Sequence, residues 1–153
     1  HLLRMPFLGP LLRKMGAIVV DNCGGSHARG QLVSDKMDAI RKEGRRILIY
    51  PEGHLSPVGT QHRYRKGVFH MYKQYGCPVI PVATYLGLRW PTQSCRKPAG
   101  PASVEFLKPI PPGLDKDAFM AELETMIETR SLALLEEQRA AGTLPIPLTS
   151  QPP

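Results

Sequence analysis

The stretch Ile47-Leu48-Ile49-Tyr50-Pro51-Glu52-Gly53-His54-Leu55-Ser56 is the most informative part of this chain. Its first four residues, 47–50, are apolar or aromatic, which predicts a buried strand. Pro51 has no backbone N–H to donate and therefore ends the hydrogen-bonded pairing of that strand. Glu52 and Gly53 then stand at its carboxyl end, where α/β sheets bind ligands because loops and helix amino termini converge there. We therefore expect a binding site at this edge.

Strands and helices are predicted to alternate on both sides of this stretch. Apolar and β-branched runs predict strands at residues 17–20, 79–85 and 103–107. The spacing of apolar residues predicts one helix that ends at Gly44, a second over about residues 66–74, and a third that follows Asp115 as its N-cap. This alternation is typical of the α/β class.

The composition is that of one globular domain with a short tail. The chain has 153 residues, which is long enough to bury a core. Of these residues 42% are hydrophobic, which argues against disorder, and the charged fraction of 22% is ordinary. No apolar run approaches the roughly 20 residues of a membrane span. From Gly142 onward, four prolines recur without a period. We therefore expect a domain over residues 1–141 and a Pro-rich disordered tail over residues 142–153.

The formal charge of +7 points to an anionic partner or to a solvated basic face. Nucleic acid and an anionic membrane surface both attract lysine and arginine. No RNP-like run and no zinc-finger spacing is present, so we predict no nucleic-acid partner. Three cysteines, at positions 23, 77 and 95, include no C-x-x-C pair. We therefore expect neither a zinc site nor a disulfide framework, as is usual in a reducing environment.

Several short motifs give the chain a family resemblance. It resembles the 1-acyl-sn-glycerol-3-phosphate acyltransferases of bacterial type, four of whose elements occur here in order. These are the second block at residues 5–9 and 15–21, the third at Tyr50-Pro51-Glu52-Gly53, an aromatic-basic-any-glycine step at Tyr64-Arg65-Lys66-Gly67, and the fourth block at Ile80-Pro81-Val82-Ala83. The resemblance implies a glycerolipid-acyltransferase-like mixed sheet flanked by helices.

The first block of that family, H-x-x-x-x-D, does not occur in the chain. None of its five histidines is followed by an aspartate five positions later. In the family this histidine is the base that takes the acceptor's hydroxyl proton, and the aspartate orients it. We therefore expect the chain to lack the N-terminal part of the fold, to represent the acceptor-binding side, to contain no catalytic residue, and to be inactive alone.

The third block implies a site for the acceptor's glycerol phosphate. Glu52 and Gly53 match the first two residues of the family's E-G-T-R, and His54 follows where threonine is usual. Leucine replaces the arginine, so the phosphate contact must come from other cations. Arg65 is our first choice because it matches the basic position of the next motif, and Lys66 is a neighbour.

Two further elements complete the predicted site. Asn22 stands where the family often has arginine, and it offers only neutral hydrogen bonds. The fourth block, with Ile80, Pro81 and Val82, lies by the acyl-donor pocket in the family. Pro81 cannot donate a ladder hydrogen bond, so it predicts a bulge or a sheet edge.

The resemblance implies a function and its partners. The reaction would transfer an acyl group from acyl-CoA or acyl carrier protein to the sn-2 hydroxyl of lysophosphatidic acid, forming phosphatidic acid. It would occur at the cytoplasmic face of an anionic membrane and use no metal or redox cofactor. Two alternatives remain: another lysolipid acceptor, suggested by the departures at positions 22, 54 and 55, and a non-catalytic lipid- or phosphate-binding module.

Overall fold

The computed structural model describes residues 8–15, 26–53, 60–91 and 97–144. The chain divides into two compact units, His1–Leu48 and Ile49–Pro153. Helices and a small antiparallel sheet occur in the described part, which confirms the α/β class. In chain order the elements are α1 (Leu8–Lys14), α2 (Ser26–Lys42), α3 (Gly67–Tyr75), β1 (Val82–Thr84), a short 3₁₀ helix (Leu86–Leu88), β2 (Val104–Phe106) and α4 (Lys116–Ala140).

The first unit contains α1 and α2. Helix α2 buries Met37 and Ile40, as their spacing predicts. Its last residue is Lys42, and the predicted stop follows at Gly44, whose φ of +66° is the left-handed conformation that glycine adopts without strain. Just beyond, the Arg45 guanidinium donates to the carbonyl of Met15 at 2.6 Å, which ties the end of α2 to the end of α1. The predicted strand at 17–20 lies outside the described residues.

The predicted strand at residues 47–50 is wrong, since these residues belong to no strand. Their side chains alternate, because Leu48 and Tyr50 are about three-quarters exposed whereas Ile47 and Ile49 are half-buried. A strand needs a neighbour that completes its backbone hydrogen bonds. No ladder joins this segment to any residue that the structure describes.

The core of the second unit lies between α3 and the first half of α4. The rings of Tyr72 and Phe119 stack with centroids 4.0 Å apart. The Tyr72 hydroxyl donates to the Pro111 carbonyl at 2.7 Å and accepts from the Leu114 N–H at 2.9 Å. Phe119 is fully buried, and a buried side chain of this size contributes about 2–3 kcal/mol. The segment before α4 is therefore packed onto α3.

Helix α4 begins at the predicted cap. The Asp115 carboxylate accepts hydrogen bonds from the N–H groups of Asp117 and Ala118, at 2.9 and 3.0 Å. A cap of this kind stabilises a helix by about 1 kcal/mol. The second half of α4 packs Leu134 and Leu135 against a separate cluster that includes Ala83 of β1. One helix therefore spans two core clusters.

Strands β1 and β2 pair antiparallel, with Val82 opposite Phe106 and Thr84 opposite Val104. Beyond this ladder, Val79 and Ile110 form an isolated antiparallel bridge. Ile80 consequently stands opposite two residues, 108 and 109, so the pairing contains a bulge. The interruption predicted from the missing N–H of Pro81 is confirmed.

The buried side chain of Arg89 joins residues 99–101 to Thr143 in the second unit. The Arg89 guanidinium donates to the carbonyls of Pro101 at 2.8 Å, Ala99 at 3.1 Å and Thr143 at 2.6 Å. Gly100, with φ of +145°, leaves room for it, because a Cβ there would overlap the guanidinium. Residues 142–144, which we expected to start the disordered tail, are thus held by contacts. Residues 145–153 lie outside the described part of the chain.

Candidate acceptor-binding site

A tight turn follows the segment at residues 47–50. The Gly53 N–H donates to the Tyr50 carbonyl at 3.1 Å, and Gly53 has a φ of +71°. An L-residue rarely adopts this conformation, so the glycine is needed for the turn itself. The turn exposes the backbone of Pro51 and Glu52 to contacts from elsewhere in the chain.

The basic step at residues 64–67 supplies those contacts. The Arg65 N–H donates to the Pro51 carbonyl at 2.8 Å, and the Arg65 Nε donates to the Glu52 carbonyl at 3.4 Å. The Arg65 side chain also lies against Gly53, where a Cβ would come within 3.1 Å of Arg65 Cγ. The structure therefore brings together three of the predicted site residues, Glu52, Gly53 and Arg65.

The missing side chain of Gly53 lets another part of the chain approach its backbone. In the structure the group that approaches is the aliphatic part of Arg65. Gly53 therefore sets the position of a cation, Arg65, which is an exposed residue.

The basic step at residues 64–67 borders an open depression of about 630 Å³. The depression is lined by His62, Arg63, Tyr64, Arg65, Lys66 and Gly67. Three of its six residues carry a permanent positive charge. Helix α3 begins at Gly67, so the positive end of the helix dipole adjoins these side chains. Guanidinium and ammonium groups are donors that bind phosphate in proteins. The depression therefore has the chemistry of an anion site.

Tyr64 anchors this basic step to α4. Its ring is buried in the first core cluster, and its hydroxyl donates to Glu128 Oε1 at 2.7 Å. Burial raises the pKa of Tyr64 far above its ordinary value, and the hydrogen bond with Glu128 raises it further. The phenol therefore remains a protonated donor at physiological pH. The sequence offered no signal for Glu128, which lies 64 positions away.

The predicted acyl-donor residues lie in the bulged strand region. Pro81 is fully buried and its carbonyl accepts from the Leu107 N–H at 2.9 Å. Ile80 is about half exposed, and Val82 begins β1. Their role toward an acyl donor stays a prediction. Asn22 and His54, the remaining predicted acceptor residues, lie outside the described part of the chain.

Two further properties belong to the described residues. No helix among them is long and apolar enough to cross a bilayer. No three His, Cys, Asp or Glu side chains within residues 8–15, 26–53, 60–91 and 97–144 are grouped to hold a metal ion.

Comparison with known proteins identifies relatives. A 1-acyl-sn-glycerol-3-phosphate acyltransferase of Pseudomonas aeruginosa is 32% identical over 104 residues, which is 68% of this chain and 40% of the relative. The enzyme of the same name from Borreliella burgdorferi is 34% identical over 84 residues, 55% of this chain and 33% of the relative. Human 1-acyl-sn-glycerol-3-phosphate acyltransferase beta is 27% identical over 108 residues, 69% of this chain and 39% of the relative.

The matched part of these relatives is limited. The chain spans between 33% and 40% of their length. No solved structure matches it significantly. The model of the family described as Acyltransferase matches residues 1–85, more than half of the chain, and includes both the Pro51–Gly53 turn and the basic step. On that match, this chain belongs to the Acyltransferase family.

Proposed function

We propose that this chain is the acceptor-binding part of an enzyme that acylates the sn-2 hydroxyl of 1-acylglycerol 3-phosphate to give phosphatidic acid. The acyl donor is acyl-CoA or acyl carrier protein. The observation that carries the proposal is the contact of Arg65 with the Glu52-Gly53 turn, beside a basic depression, in a chain of the Acyltransferase family. Three of its relatives are named for this reaction.

Each predicted site residue has a proposed role in this reaction. Arg65 and Lys66 bind the phosphate, because a phosphate oxygen accepts charge-assisted hydrogen bonds from both. Glu52 orients the turn, and Gly53 lets Arg65 lie close to it. His54 adds a cationic contact and Asn22 a neutral one to the glycerol phosphate, and Ile80, Pro81 and Val82 border the acyl donor. Residues 1–141 form the acyltransferase part, followed by a Pro-rich tail at 142–153.

The setting of the reaction is the cytoplasmic face of an anionic membrane. Its support is chemical, since lysophosphatidic acid is itself a membrane lipid and the chain carries a formal charge of +7. Each basic side chain near an anionic lipid surface adds about 1 kcal/mol to binding. Flotation with neutral and with anionic liposomes tests this part, and equal recovery from both would contradict it.

The test of the reaction uses the protein in its full natural length. Phosphatidic acid formation is measured with an acyl-CoA and lysophosphatidic acid, for the wild type and for Arg65→Gln. We expect Arg65→Gln to raise the acceptor KM about tenfold, since it removes a charge-assisted bond to phosphate, while the KM of the acyl donor changes little. Lys73→Gln is the matched control, because it removes an exposed cation from the last turn of α3, the helix that follows Arg65 and Lys66.

Three outcomes would change this proposal. If another lysolipid is acylated and lysophosphatidic acid is not, that lysolipid is the acceptor. This result would explain the departures at positions 22, 54 and 55. No acyl transfer to any lysolipid, together with retained phosphate or liposome binding, would leave a non-catalytic module. Equal effects of Arg65→Gln and Lys73→Gln would remove Arg65 from the phosphate site.

A further inference from the structure

Helix α4 holds the basic step through a single buried tyrosine. We propose that Glu128 is a positioning residue for the acceptor site, which acts through Tyr64 to fix Arg65 in phosphate-binding geometry. The inference rests on the proposed function, since it assigns α4 a part in the same site. It also extends beyond the family match, which ends at residue 85.

The geometry gives Tyr64 little freedom. Its ring is 3% exposed and packs in the core cluster that includes Leu123 of α4. Its hydroxyl meets Glu128 at 2.7 Å, a short contact of the kind that a carboxylate acceptor forms. A buried aromatic ring with a hydrogen-bonded tip has one orientation, so the backbone at residue 64 has a defined position.

The fixed backbone position of Tyr64 determines where Arg65 begins. Arg65 continues directly from Tyr64 and is bonded through its N–H to Pro51 and through its Nε to Glu52. The Nε contact, at 3.4 Å, is long, so it aligns the guanidinium only weakly. The anchor at Tyr64 and the backbone bond to Pro51 therefore set where the Arg65 side chain leaves the chain.

Glu128 has two properties that variants can separate: its negative charge and its ability to accept the hydrogen bond from the Tyr64 hydroxyl. A carboxylate near an anion site would by itself weaken phosphate binding, whereas the hydrogen bond it accepts fixes the step. Glu128→Gln keeps an oxygen that can accept from the phenol and removes the charge. Glu128→Leu removes both, and Tyr64→Phe removes the hydroxyl while it keeps the ring.

The experiment compares these three variants in the full-length protein. We expect Tyr64→Phe and Glu128→Leu to raise the KM for lysophosphatidic acid about fivefold, with kcat and the acyl-donor KM within twofold of the wild type. Glu128→Gln should stay within twofold for all three constants. The double variant Tyr64→Phe/Glu128→Leu should cost no more than either single one, because both remove the same bond. Glu122→Leu, at an exposed α4 position, is the control.

Binding of glycerol 3-phosphate, measured by titration calorimetry, separates this inference from the reaction it rests on. A wild type that binds glycerol 3-phosphate but transfers no acyl group would overturn the proposed reaction, and weaker binding by Tyr64→Phe would still support the positioning role. An active wild type with unchanged acceptor KM in Tyr64→Phe and Glu128→Leu would overturn the positioning role alone. Equal losses in kcat and both KM values would also overturn it, since a merely structural role predicts them.

Discussion

Gly53 lies directly against the side chain of Arg65, with room for no further atom between them. A Cβ on Gly53 would come within 3.1 Å of Arg65 Cγ, closer than ordinary van der Waals contact. The two residues belong to separate motifs of the sequence, and the contact joins those motifs into one surface. The glycine of the first motif is therefore required by the arginine of the second.

This contact predicts the effect of Gly53→Ala. The added methyl group displaces Arg65 and strains a residue with φ of +71°. We expect the KM for lysophosphatidic acid to rise about fivefold or more, since a misplaced cation loses its phosphate contact. Steady-state kinetics of the full-length protein measure this.

The matched control for Gly53→Ala is Gly44→Ala. Gly44 has a φ of +66° and no atom within 4 Å of the position of a Cβ. It therefore reports the backbone strain without the displacement of a neighbour. If Gly44→Ala raises the acceptor KM as much as Gly53→Ala does, the contact with Arg65 is not the cause.

The pH dependence of stability should reveal the burial of the Tyr64 hydroxyl and its hydrogen bond with Glu128. Burial raises the pKa of Tyr64 above its ordinary value of 10.0, so the unfolded chain releases this proton at a lower pH than the folded chain does. The stabilisation is therefore complete below pH 10 and falls as pH rises above it, by about 1.4 kcal/mol for one pH unit.

Tyr64→Phe tests this by urea unfolding at pH 8 and pH 11. At pH 8 we expect the variant to be less stable than the wild type by about 1 kcal/mol, the usual net value of one hydrogen bond. At pH 11 the difference should vanish or reverse, because phenylalanine has no proton to release. A difference that is the same at both pH values would contradict the buried, bonded phenol.

Gly100→Ala should destabilise the second unit. The new methyl group would overlap the Arg89 guanidinium and separate it from the three carbonyls that it binds. A buried charge that loses its acceptors costs several kcal/mol, so we expect a loss of at least about 2 kcal/mol in the free energy of unfolding. Chemical denaturation measures it.

Gly113→Ala separates the two causes of that loss. Gly113 has a φ of +105° and open space around the position of a Cβ, so alanine there adds strain without a clash. The loss for Gly100→Ala should exceed that for Gly113→Ala. If the two losses are equal, the Arg89 contacts contribute nothing that the backbone strain does not explain.

Residues 1–153 by themselves are expected to form no phosphatidic acid. None of their five histidines is followed by an aspartate at the spacing of the family's catalytic pair. The measurement is acyl transfer by the isolated chain beside the full-length protein, with glycerol 3-phosphate binding as the sign that the isolated chain is folded. Turnover by the isolated chain would show that another residue takes the hydroxyl proton.

Local signals predicted the helices well. The carboxylate of Asp115 caps α4, and Gly44 and Gly76 end α2 and α3, since these roles depend on residues within one turn of the chain. The strand at residues 47–50 was wrong because a strand depends on a partner. Apolar runs show which residues are able to pair, and they do not show with what.

The motifs named the residues of the contact between the Pro51–Gly53 turn and Arg65, and they did not predict the contact itself. The motifs selected Glu52, Gly53 and Arg65, and the structure brings these three together. The contact of Arg65 with Gly53 joins residues 12 positions apart, and the bond from Tyr64 to Glu128 joins residues 64 positions apart. No periodicity or cap links residues so distant, so only the folded chain reveals these contacts.

The core between α3 and α4 has a consequence for how this chain can be divided. The family model ends at residue 85, yet Tyr64 and Tyr72 complete their packing and their hydrogen bonds with residues 110–128. The end of that model is therefore not a boundary of the folded unit. A shortened chain that stopped at residue 85 would leave both rings without the side chains that cover them.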